Sequence, residues 1–240
     1  MRISAIIPTW CEAACIGAAI DAAKRVADEV IVADAGSLDG TARIAHEHGA
    51  RVVHAAKGRG AQLCAGADAA GGEILLFLHA DALLGAGARS ALLRRLEDPS
   101  IVGGNFLLRF EGPGPLAAAL SLANDLRRRW LRIYYGDSAI FVRRSVYEQI
   151  GGFKPFPIFE DYELVRRLER RGRTAYIRDV VVEVSSRRHA QAPWTTLASW
   201  VVLHTLYSVG GIAPDRLVAL YNDVRARTHA HGQSSSVSRY

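Results

Sequence analysis

Strand-like and helical patterns alternate three times within the first eighty residues. Ile3–Pro8, Glu29–Ala33, Arg51–His54 and Ile74–Leu78 are short runs rich in β-branched and apolar residues. Between them, Glu12–Val26, Asp39–His48 and Gln62–Ala70 carry apolar residues at helical spacing, and Gly49 and Gly71-Gly72 stop the last two. Continuous apolar strands alternating with helices imply an α/β fold, with a mostly parallel sheet covered by helices on both faces. Right-handed crossovers then bring the C-terminal ends of the strands to one edge, where ligands of such sheets bind.

Polar residues collect at that edge. Thr9 and Glu12 follow the first strand, Asp34 and Ser37 the second, Lys57 and Arg59 the third, His79 and Asp81 the fourth. Core building does not ask for acids, bases and hydroxyls at four successive strand ends.

The second half has a different pattern. Val102–Phe110 and Ala139–Val142 read as strands, as do Ala175–Ile177 and Val180–Val184. Leu116–Tyr135 reads as a helix with Leu116, Leu120, Ala123, Trp130 and Ile133 facing the core and Arg127-Arg128-Arg129 facing solvent. Glu160–Arg171, Trp194–Val209 and Pro214–Arg227 are further helices. No Pro/Gly/Ser linker divides the 240 residues, so one domain is expected over residues 1–228, with a flexible Ser-rich tail at 229–240. The pattern changes at about residue 110, which divides the chain into a first half of about residues 1–110 and a second of about 111–228.

Charge separates the halves. Residues 1–120 hold 11 basic and 13 acidic side chains (−2), and residues 121–240 hold 19 and 11 (+8). The basic half suits an anionic partner or reflects a general preference for arginine, since only Lys24, Lys57 and Lys154 are lysines. Cys11, Cys15 and Cys64 make no disulfide framework, and their odd number fits a reducing cytoplasm. Ala190–Pro214 lacks any Asp, Glu, Lys or Arg, but polar residues and a Gly pair interrupt it. Its most apolar part, Leu197–Val209, has the length of a core or interfacial helix rather than a span.

Two nucleotide-binding loops are excluded. The first strand ends in Pro-Thr-Trp-Cys-Glu, not in a Gly-x-Gly-x-x-Gly or P-loop turn, and Gly58-Arg59-Gly60 lacks a third Gly. Asp81, directly after an apolar strand, either caps the next helix or holds a hard divalent cation. Glu160-Asp161 opens a helix after an apolar Phe156–Phe159 flank; it either complements the helix dipole or supplies a general base. Arg187-Arg188-His189 either is a solvated charge run or clamps phosphate, with His189 able to complete a metal site.

Taken in order, these pieces resemble family 2 glycosyltransferases of the GT-A fold. The resemblance runs from Ile3 to about Arg173 and more weakly to Tyr221. It rests on Ile6–Thr9 with Glu12, Val30–Thr41, Gly58–Gln62, Phe77–Asp81, Gly136–Arg144, Gly151–Phe153, Glu160–Leu164 and Arg170–Gly172. The Leu-His-Ala-Asp and Gly-Asp-Ser-Ala-Ile-Phe forms resemble a compact bacterial subfamily found beside radical-SAM and selenium-related genes. The resemblance implies a Rossmann-like sheet with C-terminal helices and an inverting, metal-dependent transfer from a nucleotide-diphosphate sugar, UDP-linked by preference. Pro8, Thr9, Glu12 and Asp34 would line base and ribose. Lys57 or Arg59 would contact base or phosphate. Ala80-Asp81 would hold Mn²⁺ or Mg²⁺. Gly136 and Asp137 would lie near donor sugar or acceptor, and Asp161 would be the base. Beside the resemblance, the residues alone offer Glu160 at the same helix start, Arg188 as a phosphate contact and His189 as a second metal ligand. Three positions depart from the family pattern: Cys11 and Cys64 stand where Asn is common, and His79 replaces the first Asp of Asp-x-Asp.

Other functions weighed against this are a non-catalytic nucleotide-sugar-binding protein and a sugar nucleotidyltransferase. The latter would carry a Gly-rich basic loop where Pro8–Glu12 stands. The expected partners are a nucleotide sugar and an acceptor, small or lipid-linked, with no nucleic acid. The expected location is the cytoplasm, with peripheral contact to the inner membrane through Trp194–Val209 and the Arg127 cluster.

Overall fold

The computed structural model describes residues 1–112, 115–185, 202, 205–207, 212–214, 216 and 217. Two compact units are distinguished: Met1–Pro155 with Glu160–Ser185, and Phe156–Phe159 with Ser186–Tyr240.

The first unit is built on β1 (Ile3–Thr9), β2 (Glu29–Asp34), β3 (Arg51–His54), β4 (Ile74–Phe77), β5 (Ala82–Leu84), β6 (Ile101–Glu111), β7 (Ile140–Arg143) and β8 (Arg173–Ser185). They form one sheet in the order β3-β2-β1-β4-β7-β6-β8-β5. The first half is parallel, as expected: β2 and β4 flank β1, and β3 pairs with β2. Ile3, Ala5, Ile6, Ile7, Ile31, Val32 and Ala33 are fully buried, because helices cover both faces. The intervening helices α1 (Ile16–Lys24), α2 (Thr41–Glu47) and α3 (Arg59–Ala69) are shorter than the periodicity suggests at their N-termini, or begin earlier in the case of α3.

In the second half β7 runs antiparallel between β4 and β6, while β6 and β8 pair in parallel. The two strands expected at Ala175–Ile177 and Val180–Val184 are one strand, β8, joined across a register shift between Phe106/Ile177 and Leu107/Val181. Where β6 and β8 approach most closely, a Cβ on Gly104 would sit 2.0 Å from the Ala175 carbonyl oxygen. Strand β5 and the helices α4 (Ala88–Leu96) and α6 (Arg144–Gln149) have no counterpart in the sequence reading.

Helix α5 (Pro115–Leu131) corrects the sequence reading most sharply. Of the face expected in the core, Leu120 packs against it, but Leu116, Ala123 and Trp130 point outward, Trp130 at 77% exposed, and Leu122 (58%) and Leu126 (41%) are exposed beside them. The buried face carries Ala117, Asp125 and Arg128. Arg128 donates to Asn105 Oδ1 at 2.6 Å and Thr174 Oγ1 at 2.9 Å, and pairs with Glu169 at 3.4 Å. Asp125 accepts from Tyr176 Oη at 3.0 Å. Polar partners on β6, β8 and α7 (Glu160–Arg171) thus turn the helix over.

In the second unit, Phe159 stacks on Tyr207 with ring centroids 5.0 Å apart. The helices expected over Trp194–Val209 and Pro214–Arg227 lie outside the described residues except at 202, 205–207, 214, 216 and 217, which are helical. The tail at 229–240 also lies outside them.

Candidate active site

Two groups of side chains form at the C-terminal edge of β1–β4. The first is the loop after β1, tied to the loop after β2. Thr9 Oγ1 and Ser37 Oγ donate to Asp34 Oδ1 at 2.9 and 2.6 Å, and the Gly36 and Ser37 N–H groups donate to Oδ2 at 2.9 and 2.8 Å. Burial alone would raise the Asp34 carboxyl, but these hydrogen bonds outweigh it and hold the group below its usual range. Cys11 N–H donates to Ser37 Oγ and Glu12 N–H to Thr41 Oγ1. Cys11 has φ 58, a left-handed conformation that Asn tolerates better than other side chains, which accounts for Asn in the family pattern.

Gln62, which the sequence reading gave no role, clamps this group. From the buried face of α3 its Nε2 donates to the Thr9 carbonyl at 2.6 Å and to the Ala33 carbonyl at 3.1 Å. It fixes the spacing of β1 and β2 where they end. Lys57 Nζ lies 3.3 Å above the centroid of the half-exposed Trp10 ring. Pro8 is half-buried beside Thr9. Cys64, another departure, donates its thiol to the Phe153 carbonyl at 3.2 Å.

The second group surrounds a small cleft lined by Arg59, His79, Gly136, Glu160 and Asp161, with Leu63, Phe77 and Phe153 in its wall. The register of β4 on β7 assembles it. Phe77 is opposite Ile140, so His79 follows one strand and the 3₁₀ turn Gly136–Ser138 precedes the other at the same edge. Helix α7 brings Glu160 and Asp161 in its first turn. Asp161 Oδ2 accepts the Gly136 N–H at 2.7 Å and Oδ1 accepts the Tyr162 N–H at 2.7 Å. A Cβ on Gly136 would lie 2.8 Å from His79 Nε2 and 3.3 Å from Asp161 Oδ2, so a larger residue would displace the ends of these side chains.

Electrostatics mark the same place. Glu160 is 1% exposed; its Oε1 lies 3.4 Å from Arg59 Nη1 and its Oε2 has no partner among the described residues. Burial raises the Glu160 carboxyl, the charge of Asp161 adds to this, and Arg59 opposes it. Asp137 keeps part of its surface in solvent, but its Oδ1 is sealed and has no partner among the described residues. Burial pushes it up to about 6, Arg127 opposes this, and Asp161 and Asp81 push the same way as burial. Arg127, read from the sequence as a solvated residue, therefore acts on the site. Only the tertiary fold reveals this.

A hard divalent cation suits this donor set. Asp81, Asp137, Glu160 and Asp161 supply four carboxyl groups against the guanidinium groups of Arg59 and Arg127, and two carboxyl oxygens have no partner among the described residues. No three His, Cys, Asp or Glu side chains converge into a complete metal shell among the described residues. A cation here would draw further oxygens from substrate or water, the usual habit of Mg²⁺ beside phosphates. Arg188 and His189 lie outside the described residues.

The family model described as glycosyl transferase family 2 matches residues 4–157. The chain belongs to this family. It is a glycosyltransferase. No curated protein matches it. Among solved structures, a mannosyltransferase from Pyrobaculum calidifontis, in complex with GDP-Man and Mn²⁺, is similar in fold at TM-score 0.65 and 23% identity, over 96% of this chain and 70% of that one. Glucosyl-3-phosphoglycerate synthase from Mycobacterium tuberculosis, in complex with Mn²⁺, UDP and glucosyl-3-phosphoglycerate, is similar at TM-score 0.56 and 25% identity, over 77% and 70%. The GT-A expectation for the glycosyltransferase fold is met.

Proposed function

We propose that this glycosyltransferase moves a sugar from a nucleotide-diphosphate sugar to an acceptor hydroxyl with inversion, and that Asp161 is the general base. The domain responsible spans residues 1–228. The observation that carries this reading is the doubly fixed Asp161 carboxylate at the mouth of α7, beside Gly136 and His79. The acceptor oxygen attacks the anomeric carbon as its proton passes to Asp161, and the nucleoside diphosphate leaves with the bonding electrons. Pro8, Thr9, Glu12 and Asp34 line the base and ribose, and Lys57 or Arg59 contacts base or phosphate. Asp34, its oxygens engaged by its own loop, shapes that pocket. Gly136, Asp137 and Glu160 border the sugar and acceptor.

Asp81 would hold Mn²⁺ or Mg²⁺, and such a cation would neutralise charge on the departing diphosphate. The complexes of the two similar structures with Mn²⁺ and UDP or GDP-Man agree with such a donor. Three free cysteines fit a cytoplasmic protein.

The test is to incubate the protein with UDP- and GDP-sugars and a panel of small and lipid-linked hydroxyl acceptors, then to read product configuration by NMR. An inverted anomer is expected; a retained anomer overturns the assignment of Asp161 as base.

A further inference from the structure

Helix α5 is inside-out. With successive residues about 100° apart, Leu116, Ala119, Leu122, Ala123, Leu126 and Trp130 share one side, and all are exposed. That side carries no acidic residue. The only acid of the helix, Asp125, lies on the buried side with Arg128. Arginines border the outward face: Arg127 on one flank, Arg129 on the other, and Arg132 just past the helix end. Arg129 and Arg132 pair with Asp125 at 3.7 Å and Glu169 at 2.6 Å, yet their side chains remain 48% and 56% exposed.

A soluble helix normally shows water its polar side. Here the polar side is used up in hydrogen bonds to β6 and β8, and a broad apolar face remains outside. Leucines with a terminal tryptophan, bordered by arginines, is the composition of a helix that lies in the interface of an anionic bilayer. The helix has 17 residues, about 25 Å at ~1.5 Å each, too short to span and long enough to lie flat.

We propose that the outward face of α5 docks the protein on a membrane surface rich in anionic phospholipid, with Leu122, Leu126 and Trp130 entering the acyl boundary and Arg129 and Arg132 meeting lipid phosphates. This surface differs from Trp194–Val209, which the sequence suggested, and it uses the apolar side of the helix that bears the Arg127 cluster. It stands apart from the transfer reaction, so either reading can fail without the other.

The experiment is co-sedimentation of the full chain with phosphatidylglycerol/phosphatidylcholine vesicles and with pure phosphatidylcholine vesicles, at low and high salt. Wild type should partition onto the anionic vesicles, less so at high salt. Leu126→Glu with Trp130→Glu should lower the partition coefficient at least about tenfold, with an unchanged circular dichroism spectrum. Should that pair of changes disturb folding, Trp130→Ala alone should still lower partition several-fold. No partition of wild type, equal partition onto neutral vesicles, or equal partition of a folded variant overturns the proposal. A dimer in light scattering that Trp130→Ala dissolves, without vesicle binding, assigns the face to a second copy and overturns it as well.

Discussion

The Oδ2 oxygen of Asp161 lies 2.7 Å from the backbone nitrogen of Gly136. These residues are 25 positions apart, and the bond fixes the carboxylate against the turn that follows α5. Gly136→Ala would place a methyl group 2.8 Å from His79 Nε2 and 3.3 Å from Asp161 Oδ2. His79 must move, and the Asp161 carboxylate must give by a few tenths of an ångström. Steady-state kinetics should show turnover falling about tenfold to a hundredfold, because displacing a reacting group by a fraction of an ångström is costly. The melting temperature should change little. Unaltered turnover would mean that His79 and the carboxylate absorb the methyl group without loss of the working geometry.

Asp137 offers a test in stability. Below about pH 4 its carboxyl is protonated in both the folded and unfolded chain, and it contributes no difference. Between about 4 and 6 the unfolded chain releases the proton while the folded chain keeps it, since burial raises the folded value to about 6. Folding stability is therefore lost as pH rises through this window, and the loss is complete above it. Asp137→Asn should be more stable than wild type by about 1–3 kcal/mol at pH 8 and equal to it near pH 3.5. Urea melts across pH would measure this. The same variant should be less active, since the charge is kept despite its cost.

Asp81→Ala should weaken Mn²⁺-dependent binding of the donor nucleotide about tenfold to a hundredfold in calorimetry. Chelation of the metal should do the same to wild type. Equal nucleotide binding with and without Mn²⁺ would remove Asp81 from the metal role.

At Gly104, β6 meets the backbone of β8 and not a movable side chain. Gly104→Ala, with its Cβ 2.0 Å from the Ala175 carbonyl oxygen, should cost about 3 kcal/mol or more. Thermal melting would show it as a large drop.

The parallel half of the sheet was legible in the sequence because its strands are buried on both faces, as Ile6, Ile31 and Leu75 illustrate. Apolarity alone then marks a strand. Helix α5 was legible as a helix and misread in its orientation. Its core side is set by Asn105, Thr174 and Tyr176, which pair with Arg128 and Asp125 from distant parts of the chain. Periodicity assumes that the apolar side faces inward, and here hydrogen bonding prevails.

The candidate site divides in the same way. Glu160-Asp161 could be read because both sit together at one helix start. The meeting of His79, Gly136 and Asp161 depends on the pairing of β4 with β7, which no local pattern carries. Gln62 was visible in a motif, but its clamp on the Thr9 and Ala33 carbonyls appears only when α3 is laid on the sheet.

As the proposed general base, Asp161 accepts the proton of the acceptor hydroxyl, and comparing Asp161→Asn with wild type in donor-nucleotide calorimetry and in glycosyl transfer tests that role. Asparagine keeps the acceptor oxygen for the Gly136 N–H but is not a base. Nucleotide affinity should be retained while transfer falls about 10²–10⁴-fold. Transfer at the wild-type rate by Asp161→Asn would contradict it.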